Sequence, residues 1–136
     1  STSLDIDPIY HLSKEIIDAY EDIDNIDYDF VLKWTYKKIK SNIHEYTSIY
    51  LDETLVGYYR FHEENGMMEI DDFYILESYR NKGIGSIVLK KCMDESKLPI
   101  FLYVFIKNER AIQFYKKFGF EIIETIKETR YIMRKD

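Results

Sequence analysis

Cysteine is almost missing from this 136-residue chain. Cys92 stands alone, so no internal disulfide can form and a reducing compartment is expected. Histidine is sparse too: His11, His44 and His62 have no second His or Cys at ligand spacing, so no metal site is expected. Cationic residues are the minority, 19 Lys and Arg against 25 Asp and Glu, and the net charge of -6 argues against nucleic acid as a partner. No apolar run approaches a membrane-spanning length, and the first residues lack the basic and apolar regions of a secretion signal. A cytoplasmic location with no membrane partner follows as the expectation. Two nucleotide motifs are also missing. There is no G-x-x-x-x-G-K-[ST], and G-x-G-x-x-G would need a glycine where Val88 stands.

What is present suits one folded domain over residues 1–136. Hydrophobic residues make up 46% and aromatics 16%, enough to fill a single core. Asp7-Pro8 opens a helix with Ile9, Leu12, Ile16 and Tyr20 at helical spacing. After a loop from Glu21 to Asp27, a second helix from about Asp29 to Ser41 uses Phe30, Trp34 and Ile39, while Lys37, Lys38 and Lys40 form a solvated face. Tyr46 to Leu51 and Leu55 to Phe61 form a hairpin across Asp52-Glu53-Thr54, and Glu63 to Gly66 turns the chain into a long strand, Met67 to Leu76.

That strand runs into Tyr79-Arg80-Asn81-Lys82-Gly83-Ile84-Gly85-Ser86, and a helix follows with Ile84, Ile87, Val88 and Cys92 on one side. Glycines let the backbone turn and come close to a ligand, and the first helical turn offers unpaired N–H groups at its positive end. A strand, a basic glycine loop and a helix start make an anion cradle. Ile100 to Ile106 is almost uninterrupted apolar chain, as expected of a strand covered on both faces, and completes a βαβ crossover over residues 67–106. Asn108 can cap a helix carrying Ala111, Phe114, Tyr115 and Phe118; Gly119 ends it, and a final hairpin spans Phe120 to Ile126 and Thr129 to Arg134.

Arg80-Asn81-Lys82-Gly83-Ile84-Gly85, preceded by Tyr74-Ile75-Leu76 and followed by N-x-x-A-x-x-x-Y-x-x-x-G-F from Asn108, resembles the GNAT superfamily of N-acetyltransferases. The resemblance runs from about Tyr46 to Met133. It implies an α/β fold: a mixed central sheet flanked by helices, with an antiparallel meander, a βαβ crossover with splayed parallel strands, and a C-terminal hairpin. It also implies a strand before the first helix, for which only Ser1 to Ile6 is available.

The resemblance further implies acetyl-CoA as co-substrate. Backbone amides from Lys82 to Ser86 (Lys82, Gly83, Ile84, Gly85, Ser86) would hold its pyrophosphate, beside Arg80 and Asn81. Its pantetheine arm would lie along Tyr74, Ile75 and Leu76. Arg80 and Lys82 add charge near the phosphates. The N–H of Ile75 would donate to the thioester carbonyl. Asn108 matches the family's cofactor-contacting asparagine and is also a plain N-cap. Tyr115 matches the tyrosine that protonates the departing thiolate and contacts the cofactor, a role its reference pKa of about 10 permits.

Three carboxylates lie within four residues of the strand, although Asp is depleted in strands. Alternation puts Glu69, Asp71 and Phe73 on one face and Ile70, Asp72 and Tyr74 on the other. By position, Glu69 matches the base of histone-type members, Asp71 that of aminoglycoside and polyamine enzymes, and Asp71-Asp72 the polyamine acidic pair. Asp71 is the first candidate for the base and Glu69 the second, with Glu69, Asp71 and Asp72 binding a cationic amine.

The expectation is therefore acetyl transfer to a primary amine, a small cationic molecule, by direct attack in a ternary complex; a homodimer is compatible with it. Three alternatives stand beside it: a protein or peptide N-acetyltransferase, an acyl-CoA-binding module without catalysis, and a redox dinucleotide enzyme. The last is opposed by the missing third glycine.

Overall fold

A computed structural model of the chain describes residues 3–21 and 26–136. The loop expected from Glu21 to Asp27 falls largely outside them, as do Ser1 and Thr2. In place of a leading strand, Ser3–Asp5 forms one 3₁₀ turn that enters helix α1, Ile6–Tyr20, which buries Ile6, Ile9, Ser13 and Ile17.

Helix α2, Tyr28–Ser41, is capped by the Asp27 carboxylate, which accepts from the Phe30 N–H at 3.2 Å. It buries Thr35 and Ile39, whereas Phe30 and Trp34 are 63% and 56% exposed. The expected apolar face is thus corrected. The helix is rotated so that Lys38 points inward to carboxylates on the sheet, and Trp34 lies alongside its ammonium at 5.6 Å.

Six strands form one sheet in the order β1-β2-β3-β4-β6-β5. Strands β1 (Tyr46–Leu51), β2 (Thr54–Glu64) and β3 (Met67–Ile75) make the antiparallel meander. Helix α3, Ile84–Glu95, crosses over to β4, Ile100–Phe105, which runs parallel to β3. Helix α4, Glu109–Lys117, leads to the hairpin of β5 (Glu121–Ile126) and β6 (Arg130–Lys135), and β6 inserts beside β4.

The sheet carries two apolar clusters rather than one core. Ile6 and Ile9 of α1 and Ile39 of α2 meet Tyr46 and Tyr58 on one face. On the other, Leu89 of α3 and Ile112 of α4 meet Ile70, Ile100, Leu102, Val104 and Met133. The α3 stripe differs from expectation: Leu89 and Cys92 are buried, and Ile87 is 71% exposed. Two residues apart on a helix is more than half a turn, so Leu89 and Ile87 cannot share a face. Strand β4 is fully covered on the α3/α4 side only: Leu102 and Val104 are buried there, whereas on the other side Phe101 and Phe105 are half-buried and Tyr103 is exposed.

Candidate active site

The central sheet forks. Strands β3 and β4 pair only through Met68 with Ile100 and Glu69 with Phe101, and from Asp71 to Ile75 the β4 side of β3 has no strand partner. On the β2 side, Leu76 donates its N–H to the Val56 carbonyl at 2.8 Å. In an antiparallel ladder the next pair, Ile75 with Gly57, is then non-hydrogen-bonded, so the polar groups of Ile75 turn away from β2 into the fork. Gly57 is required at this close approach: a Cβ there would stand 2.2 Å from the Tyr74 carbonyl oxygen.

A bulge re-aims β3 just before the fork opens. The register slips between Tyr58 and Arg60 against Tyr74 and Asp71, and Asp72 takes φ +48° to absorb the extra residue. Strict alternation is therefore corrected. Glu69 and Asp71 lie opposite His62 and Arg60, and after the bulge Asp72 and Tyr74 point to that same α1/α2 side, where the Tyr74 and Ser13 hydroxyls lie 2.9 Å apart. Phe73 turns instead to the α3/α4 cluster.

The carboxylates gathered this way are not free. Lys38 Nζ lies 3.2 Å from Asp71 and 3.1 Å from Asp72, and is no solvated cation of a helix face. Arg60, also buried, reaches Asp71 at 3.2 Å and Glu45 at 2.8 Å. Asp72 further accepts hydrogen bonds from the hydroxyls of Tyr46 and Tyr74, the latter at 2.7 Å. Among the described residues, Glu69 has no Lys or Arg within ion-pair distance. His62 Nε2 lies 3.1 Å from its Oε1, and burial, then the charge of Asp71, push its carboxyl up to about 7. Donor atoms of His62, Glu69 and Asp71 lie within 4.8 Å of one another. Two cations already 3.2 Å from Asp71 oppose a metal ion, and we read the cluster as an ion-pair network.

Across the fork, the loop between β3 and α3 is shaped for close approach. Asn81 and Gly83 take φ +64° and +78°, and Gly83 immediately precedes α3, whose first N–H groups open outward. A cleft of about 530 Å³ runs from this loop and α4 through the fork to Ile16 and Tyr20 of α1. Tyr74, Ile75, Arg80, Asn81, Gly83 to Ser86, Asn108 and Tyr115 all line it. Leu76 and Lys82 do not, and neither do Glu69, Asp71 and Asp72; the Lys82 ammonium lies over the Tyr79 ring at 6.0 Å. Arg80 donates from Nε to the Ile75 carbonyl at 2.8 Å, which leaves the outer guanidinium nitrogens for a ligand. Asn108 caps α4, accepting from the Ala111 N–H at 3.2 Å, and still lines the cleft.

Arg110 and Phe114 also line the cleft, and the sequence reading did not single out Arg110. Arg110 donates to the Asn81 side chain, joining the two glycine-loop and α4 motifs at the cleft mouth. Its position two residues after the capping Asn108, on the first turn of a helix facing the loop, was the available signal. Tyr115 is wedged edge-on between Phe114 and Phe120, with ring centroids at 5.3 and 5.6 Å, and burial, then proximity to Cys92, raises its phenol. Cys92 is buried and its thiol is pushed up to about 11, which excludes a thiolate nucleophile.

A profile of the acetyltransferase (GNAT) family matches residues 9–120. The chain is 46% identical over 61 residues to a probable N-acetyltransferase, san, of Drosophila melanogaster, covering 41% of this chain and 33% of that protein. It is 33% identical over 86 residues to the spermine/spermidine N(1)-acetyltransferase of Bacillus subtilis, covering 54% of this chain and 57% of that protein. It thus spans between a third and three fifths of the length of these relatives. Among solved structures, Arabidopsis thaliana Naa50 in complex with the bisubstrate analogue CoA-Ac-MVNAL superposes with a TM-score of 0.56 at 35% identity, over 67% of this chain and 72% of that one. With the forked sheet, the glycine loop and the α4 motif in place, the chain belongs to the GNAT family of acetyltransferases.

Proposed function

We propose that this chain acts as a single catalytic domain that transfers the acetyl group of acetyl-CoA to a primary amine, by direct attack in a ternary complex. The observation that carries the proposal is the fork. It opens the sheet beside a phosphate-compatible loop with Tyr115, and Glu69, which does not itself line the cleft, stands at the last β3–β4 pair, where the strands part. Amides from Gly83 to Ser86, with Arg80 and Arg110, receive the pyrophosphate. The inward N–H of Ile75 stabilises the oxyanion formed when the amine adds to the thioester. Collapse of that intermediate expels the thiolate, which takes the Tyr115 proton.

The base in this proposal is Glu69 rather than Asp71. Asp71 is ion-paired to Lys38 and Arg60, whereas Glu69 feels their charges only at longer range, and burial with the charge of Asp71 pushes its carboxyl up to about 7, near the pH at which it must work. A small cationic amine remains the favoured acceptor, supported by the surplus of negative charge beside the fork and by the likeness to the spermine/spermidine enzyme of Bacillus. A second reading, a peptide N-terminus, is supported by the likeness to Naa50 and its peptide-bearing analogue.

One assay tests all of this: acetyl-CoA-dependent thiol release against polyamines, other small amines and peptides with free N-termini. Turnover of polyamines with peptides inert supports the first reading, and the reverse pattern the second. Acetyl-CoA binding with no turnover on any amine would leave only a cofactor-binding module.

A further inference from the structure

We propose that the body of the acceptor lies on an aromatic shelf made by Phe101 and Tyr103 of β4, so that the chain prefers an amine joined to an aromatic ring over an unbranched polyamine. The inference rests on the reading of the fork as an acetyl-transfer site for a small amine, and narrows that amine. Leu102 and Val104 belong to the α3/α4 cluster, so Phe101, Tyr103 and Phe105 stand on the opposite side of β4. Glu69 stands on that side too, because its neighbour Ile70 belongs to the same cluster, and Glu69 is paired with Phe101. That pair is the last before the strands part, and Tyr103 is the next side chain of the row, on the β4 wall of the fork.

The row is open. Tyr103 is 46% exposed, and Phe101 and Phe105 are half-buried. Single exposed aromatics need no explanation, but three in one row beside a candidate base do. The rings of Phe101 and Tyr103 meet edge to face, centroids 6.0 Å apart, so each fixes the other. Arg130, across from Phe105 on β6, lays its guanidinium over the Tyr103 ring at 5.5 Å, and its Nε is buried with no hydrogen-bond partner among the described residues. A row thus runs from a carboxylate, Glu69, across two rings to a guanidinium.

Charge and shape together select the ligand. An ammonium is attracted to the Glu69 end, a second one is repelled at the Arg130 end, and the rings between them favour an apolar or aromatic body. A strand spacing of about 4.8 Å and a rise of about 6.7 Å over two residues put Tyr103 roughly 8 Å from Glu69 in the plane of the sheet, a span that an ammonium joined to a ring by a short alkyl link can cover. A polyamine of that length directs its next charge toward Arg130. Glu69, Phe101 and Tyr103 do not line the cleft that receives the cofactor, so the acceptor's body and the cofactor do not compete for space.

Calorimetry with phenethylamine, ethylamine and spermidine on protein saturated with coenzyme A reads the shelf without turnover. Wild-type protein should bind phenethylamine tightest; equal or tighter binding of spermidine overturns the proposal. Tyr103→Ala should weaken phenethylamine about tenfold and leave ethylamine unchanged. No loss for phenethylamine, or an equal loss for both, overturns it. Arg130→Gln should strengthen spermidine relative to phenethylamine. Should the variants fail to fold, nuclear Overhauser effects in the wild-type protein decide: contacts between bound phenethylamine and the Tyr103 ring support the proposal, and binding without them overturns it. A dimer in sedimentation that Tyr103→Ala dissociates would make the row an interface between copies and also overturn it. Phenethylamine seated on Tyr103 with no acetyl transfer to any amine would remove the transferase reading and leave the shelf in place.

Discussion

Lys38, on α2, holds Asp72 at the bulge of β3 across 3.1 Å, and so ties the outer helix layer to the residue that re-aims the strand. Both side chains are largely buried, so removing the cation leaves Asp72 with hydrogen bonds from Tyr46 and Tyr74 but no paired charge. Lys38→Met should destabilise the protein by about 3 kcal/mol in urea unfolding. The double variant Lys38→Met/Asp72→Asn should lose less than the sum of the two single changes. A single-variant loss below about 0.5 kcal/mol would show that the pair is solvent-screened.

Gly83 has φ +78°, with open space where a Cβ would stand, so a substitution there tests conformation rather than packing. Gly83→Ala should cost about 1–2 kcal/mol of strain and weaken acetyl-CoA binding as the loop amides move. Calorimetry with acetyl-CoA measures this. Undiminished affinity in Gly83→Val, alongside a native circular dichroism spectrum, would detach the loop from the cofactor.

Tyr115→Phe removes one oxygen from a ring held by Phe114 and Phe120, so the fold and cofactor affinity should persist. Turnover should fall by about 10²-fold or more, the usual contribution of a general acid. Single-turnover kinetics is the measurement, and an unchanged rate would reduce Tyr115 to packing.

Glu69, pushed from 4.5 up to about 7, must be ionised to accept a proton, so kcat/KM for the amine should fall tenfold per unit as pH drops below about 7. Stability runs the other way. Between those two values the folded chain binds more protons than the unfolded one, so stability falls as pH rises through this window and stays lower above it. Glu69→Gln should therefore lose turnover yet gain about 2–3 kcal/mol of stability at pH 8. Equal melting of the two proteins at pH 8 would contradict the shift.

The strand and helix order was legible in the sequence, because β-branched and aromatic runs, turn residues and the glycine loop mark boundaries locally. The faces were harder to read. Alternation along β3 failed at Asp72, where one residue in the left-handed region carries the following side chains to the opposite sides, and nothing in Asp71-Asp72 announces a bulge. Phe30 and Trp34 were expected inside because apolar residues usually decide a helix face; here two ion pairs of Lys38 decide it. The lining of the cleft was legible from the glycine loop and the α4 motif. Pairing of Asp71 and Asp72 with Lys38 and Arg60, residues 33 and 11 positions from Asp71, depends on tertiary structure that spacing does not encode.

The lone thiol of the chain has a bearing on how the proposed activity can be assayed. Cys92 sits inside α3 against the sheet, 3% exposed and with its thiolate disfavoured until about pH 11. Disulfide reagents react with thiolates that they can reach, and this one is neither ionised nor accessible in the folded state. A colorimetric disulfide added to a reaction at neutral pH therefore counts released coenzyme A without background from the protein. The same reagent turns on the protein only after unfolding, so one additive reports turnover in the native state and loss of fold outside it.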